Sequence, residues 1–102
     1  MGITLENGYT LQTTFWSDFT IADAFGLTAV RDTFNRSFRD WKFNKIYVTE
    51  LCLVMNWKIW QHYHAGNDDL ASLYNELWME VDGWCMDNLK DDDLKYFLET
   101  TD

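Results

Sequence analysis

Two long stretches of helical periodicity, residues 49–65 and 68–89, meet at Gly66 in a chain that contains no proline. A proline-free run with apolar residues recurring every three or four positions has one simple solution, a helix that buries a stripe. In the first run Leu51, Cys52, Met55, Ile59 and Tyr63 form one apolar arc, and Leu53, Trp57 and Trp60 form another. A helix apolar on two sides predicts a central element with neighbours on both. Thr49 is its expected cap and Gly66 its stop. In the second run, opened by Asp68 or Asp69, Leu70, Leu73, Tyr74, Leu77, Trp78, Val81, Trp84 and Cys85 share a broad inward face.

The remaining segments complete one domain over residues 1–102. "ITLENGYTLQTTF" alternates on both sides of Asn7-Gly8, which predicts a β-hairpin with strands at 2–5 and 9–15. A short helix follows from Ser17 or Asp18 to Phe25, with Gly26 as a left-handed stop. Thr28 opens the next helix, to Lys42, in which Val30, Phe34, Phe38 and Trp41 fall within about 80° of arc. "KIYVT", residues 45–49, reads as a short third strand that could join the hairpin. "DDDLKYFLETTD" reads as a closing helix with its acids at the favoured end and Leu94, Phe97 and Leu98 inward. The expected fold is therefore α+β and mainly helical: an N-terminal β-hairpin, with a short third strand, packed on four or five helices. Trp41, Trp57, Trp60, Trp78 and Trp84 are expected in the core or at its edge.

Composition excludes several classes. Apolar residues make up 47% and aromatics 18% of the chain, enough for a core without staples and far from a disordered composition. No apolar run is long enough to span a bilayer. The N-terminus carries neither a secretory pattern nor a myristoylation signal, which predicts a cytoplasmic protein. Cys52 and Cys85 then read as small buried hydrophobes. Cys52, Cys85, His62 and His64 lack ligand spacing for zinc, so no metal or cofactor is expected. Glycine-rich phosphate loops, nucleophile elbows and HExxH are all missing. The carboxylates fall in solvent-facing phases and His64 at the edge of the core, which predicts a protein without enzymatic activity.

"DFTIADAFGLTAVRDTF", residues 18–34, has the outline of a helix-turn-helix, with Ala22, Phe25, Gly26 and Leu27 at suitable places. The second helix fails the pattern. Its two later apolar slots fall on Asp32 and Asn35, where burial is costly. A net charge of −9 also opposes phosphate binding, so the sequence speaks against a nucleic-acid partner.

The charge is distributed in blocks. Residues 1–67 hold six acids and six bases, whereas residues 68–102 hold eleven acids against Lys90 and Lys95. Asp69, Glu76, Glu80 and Asp87 form a row about 27 Å long at 1.5 Å per residue, which Asp91, Asp92 and Asp93 could extend. Arg31, Arg36, Arg39 and Lys42 form the outer face of the 28–42 helix. These patterns predict a monomeric accessory protein that binds a protein partner, a basic one, through its acidic C-terminal face. The alternatives, in that order, are a DNA mimic that occupies the basic cleft of a host defence protein and a helix-turn-helix-like DNA-binding protein.

The blocks "TFWSDFTIADAFG", "DTFNRSFRDWK", "TELCLVMNWKIWQHY" and "YFLETTD" resemble a family of small acidic proteins encoded on mobile, conjugative elements of Gram-positive gut bacteria. The resemblance covers almost the whole chain. It implies a genetic setting, that of an accessory protein of mobile DNA, and brings no activity or site residues with it.

Overall fold

The computed structural model describes residues 2–102 and contains five helices: α1 (Phe15–Phe25), α2 (Leu27–Trp41), α3 (Lys45–Ala65), α4 (Asp68–Asn88) and α5 (Asp91–Thr101). The fold is all-α; among the described residues no strand or sheet forms, which overturns the expected α+β class. The N-terminal segment does turn at Asn7-Gly8, with Leu5 N–H on the Tyr9 carbonyl at 2.9 Å and Leu11 N–H on the Ile3 carbonyl at 2.8 Å. That pairing amounts to one isolated bridge between Thr4 and Thr10. It stops because the next amides are taken elsewhere. Gln12 and Thr13 donate their backbone N–H groups to the Glu50 carboxylate, at 2.9–3.0 Å, and α1 begins at Phe15. A segment whose backbone donors bind a side chain has none left for a partner strand.

The expected third strand is also corrected. Residues 45–49 are the first turns of α3, opened by Asn44, whose Oδ1 accepts from the N–H groups of Ile46 and Tyr47 at 3.1 Å. The β-branched residues there favour a strand by local preference, but the N-cap and the burial of Val48 and Thr49 override it. Helix α3 is the axis of the molecule. Every residue from Val48 to Met55 is buried, as a helix packed on all sides requires. It lies chiefly against α4, with α1, α2 and α5 completing its surroundings.

Two glycines set the joins. Gly66, at φ +81° and ψ +13°, ends α3 in the left-handed region. Gly26, at φ +105° and ψ −173°, alone separates α1 from α2, in a backbone region essentially closed to other residues. The core is built from Phe19, Phe34, Leu51, Met55, Tyr74, Leu77, Val81 and Phe97. Of the tryptophans expected there, Trp57, Trp78 and Trp84 are half-buried, while Trp41 and Trp60 are exposed. Leu98, read as inward, is likewise exposed.

Candidate interaction surface

Helix α4 buries Ala71, Tyr74, Leu77, Val81 and Cys85, and the 3.6-residue period then turns the acidic row outward. Asp69, Glu76, Glu80 and Asp87 are all exposed, along with Ser72 and Gly83 beside them. Two apolar side chains flank this row on the adjoining face of α4: Met79 is 57% exposed and Met86 49%. Flexible thioethers beside the carboxylates make an apolar strip with negative charge along one edge. Asp91, Asp92 and Asp93 are exposed too, but they open α5, a separate helix, rather than prolonging α4.

The acidic row is not wholly free. Arg31 reaches from α2 to place Nη1 3.0 Å from Glu80 Oε2 and Nη2 3.5 Å from Glu76 Oε2. The seam between the helices holds a shallow recess of about 390 Å³ that includes Leu27, Arg31, Asp69 and Leu73. Lys45 makes a second cross-molecule pair, 3.3 Å from Asp93. The sequence-derived basic face is thereby split. Arg31 serves the acidic face, Arg39 pairs with its neighbour Asp40 at 3.0 Å, and Lys42 lies over the rings of Phe38 and Phe43. Arg36 is exposed.

Sequence reasoning places the carboxylates in solvent, which fails for Asp23 and Glu50, held inside by hydrogen bonds, and for half-buried Asp82. Asp23 of α1 lies between α3 and α4, where it accepts from Lys58 Nζ and His62 Nε2, each at 2.9 Å, and from the Tyr74 hydroxyl at 2.5 Å. Lys58 also donates to Thr20 Oγ1 at 2.9 Å and caps the Trp16 ring at 4.5 Å. The second ring nitrogen of His62 faces the Asn67 side-chain amide at 3.1 Å, and its ring stacks on Tyr74. Glu50, wholly buried in α3, takes the Gln12 and Thr13 amides and the Tyr9 hydroxyl, the last at 2.8 Å. Tyr9 in turn meets the Tyr96 hydroxyl at 3.2 Å, which ties the N-terminal segment to α5.

Burial, together with the adjoining carboxylate, pushes the Tyr74 and Tyr9 phenols well above their ordinary value. Burial likewise raises both thiols, Cys85 to about 12, and raises Asp82 from its ordinary value. Of the four Cys and His side chains, Cys52 and Cys85 are buried near one another, His62 is engaged by Asp23 and Asn67, and His64 is exposed beside Trp60. Among the described residues no group of three His, Cys, Asp or Glu side chains is placed to hold a metal ion.

The geometry of residues 18–34 departs from that of a helix-turn-helix. One residue joins α1 to α2, whereas a helix-turn-helix uses a turn of about three to four. Asp32 and Asn35 are exposed, so α2 packs in a different phase, through Val30, Phe34 and Ser37. Among the described residues no helix is long and apolar enough to cross a membrane. Comparison with known protein families, curated proteins and solved structures found no match to this chain.

Proposed function

We propose that the chain is a non-enzymatic accessory protein, of the kind its sequence blocks resemble, that acts by binding a basic protein partner through the outer face of α4. The observation that carries this reading is the combination, on adjoining exposed faces of one helix, of Met79 and Met86 with Asp69, Glu76, Glu80 and Asp87. Apolar anchors supply affinity, and the surrounding acids supply orientation and rapid encounter with a positive surface. Three of the buried polar groups support a role without chemistry. Both ring nitrogens of His62 are engaged, and Asp23 and Glu50 already receive donors from within the protein. A general base needs a free lone pair facing a substrate, and these groups present none. Two buried thiols suit the reducing cytoplasm, which we take as its place of action.

The DNA-mimic reading is weaker, because Arg31 sits in the middle of the carboxylate row and neutralises it where a mimic needs charge. The test is capture from host lysate with the immobilised protein. A specific basic partner should be lost with Asp69→Lys and Asp87→Lys and with Met79→Lys, and retained with Arg36→Ala. A partner that survives all three α4 changes would overturn the assignment of this face.

A further inference from the structure

The end of α3 and the N-terminal turn enclose a groove of about 660 Å³, distinct from the acidic face and within the size range of small-molecule sites. Its walls include three indoles, Trp16, Trp57 and Trp60, with Asn56, Gln61 and His64 alongside. Trp60 is 49% exposed, far from the core position that its helical phase suggests. Its ring lies against Tyr63 and His64, which holds it at the groove without burying it. Among the described residues Glu6, on the turn that closes the groove, is its one acidic side chain, and no lysine or arginine lines it. Indole faces carry negative electrostatic potential, so every strong electrostatic feature of this groove favours a cation.

The protein already uses one of these rings in that way. Trp16 holds the Lys58 ammonium 4.5 Å from its centroid, and Lys58 is sealed from solvent with its charge answered by Asp23. That neutralised pair leaves Glu6 and the indoles to set the potential met by a ligand in the groove.

The geometry points to a binding site for a small organic cation of the quaternary ammonium class, held against Trp57 and Trp60 and balanced by Glu6. An anionic ligand is disfavoured both by this lining and by the net charge of −9. A compact, weakly hydrated alkylammonium loses little on leaving water and gains the ring faces, which is the usual reason aromatic sites select it.

The experiment uses the full chain with choline as the probe, read by the indole N–H resonances in NMR titration. Choline should move the signals of Trp57 and Trp60. Its neutral isostere, in which carbon replaces the quaternary nitrogen, should bind at least about tenfold more weakly, the equivalent of 1.4 kcal/mol. Trp60→Ala should abolish the response while leaving the fold intact, because this side chain is half in solvent, and Glu6→Gln should weaken binding and reduce its dependence on salt. Equal binding of the neutral isostere would overturn the proposal, as would an absence of indole shifts with millimolar choline. Binding of a trimethyllysine peptide without binding of choline would also overturn it, by assigning the groove to a protein partner.

Discussion

Lys58 Nζ lies 2.9 Å from Asp23 Oδ2 in a part of the interior where the lysine is fully buried. Two opposite charges withdrawn from water cost much to desolvate, and their attraction offsets this only when the remaining donors and acceptors are satisfied. Thr20, His62 and Tyr74 meet that condition and join α1, α3 and α4 at one point. Lys58→Met should therefore destabilise the protein by about 3–5 kcal/mol, because it strands a buried carboxylate. Urea denaturation measures the loss, and a change below about 1 kcal/mol would show that the pair is solvated in solution.

Glu50 holds the N-terminal segment by the two amides of Gln12 and Thr13 and by Tyr9. Glu50→Gln turns one accepting oxygen into a donor that faces other donors. The expected cost is about 2–3 kcal/mol, given the strength of hydrogen bonds to charged groups. Amide hydrogen exchange should locate it, with protection lost at Gln12 and Thr13 and kept in α4.

Thr49, expected as a cap, is instead buried within α3, and its hydroxyl has no hydrogen-bond partner among the described residues. Thr49→Val replaces that hydroxyl by a methyl group of similar shape and removes the cost of burying it. Stability should rise by about 1 kcal/mol, seen as a higher urea midpoint at unchanged slope. Destabilisation would mean that the hydroxyl is satisfied in solution.

Alkaline pH should unfold the protein through its phenols and thiols. A group whose pKa is raised by folding stabilises the native state below its unfolded value and ceases to do so as pH rises beyond it. The thiols, with an ordinary value of 9.0, and then the phenols of Tyr9 and Tyr74, at 10.0, should make stability fall from about pH 9 upward. Tyr9→Phe with Tyr74→Phe lowers stability at pH 7, since Asp23 and Glu50 each lose a donor, yet flattens the slope above pH 10. An unchanged slope would exonerate both phenols.

The long periodic runs made α3 and α4 legible, as did the glycine that divides them. The strand expectation for residues 45–49 fails because Ile46, Tyr47, Val48 and Thr49 favour strands locally, while the decisive Asn44 cap is one residue in a loop. The hairpin expectation fails for a longer-range reason: its outer amides bind Glu50, nearly forty residues away in sequence. Part of the buried cluster was visible in principle. Lys58 and His62 fall on the same face as Leu51 and Met55, a phase that demands a buried anion. That the anion is Asp23 follows only from how α1 packs, which no local pattern encodes.

Arg31 joins the two charge blocks that looked like separate surfaces. Its guanidinium and the carboxylates of Glu76 and Glu80 all remain substantially exposed, at 39%, 63% and 48%, so solvent screens the pairing. A double-mutant cycle of Arg31→Ala and Glu80→Gln should return a coupling of about 0–1 kcal/mol that fades with salt. The same change bears on binding. Arg31→Ala unmasks two carboxylates in the middle of the α4 row, which should hasten association with a lysine-rich peptide used as a probe. Stopped-flow measurement at low salt and at about 0.15 M, where screening acts over about 8 Å, separates this steering from contact. Slower or weaker association would reveal Arg31 as a contact residue and place the binding surface at the α2–α4 seam instead of on the outer face of α4.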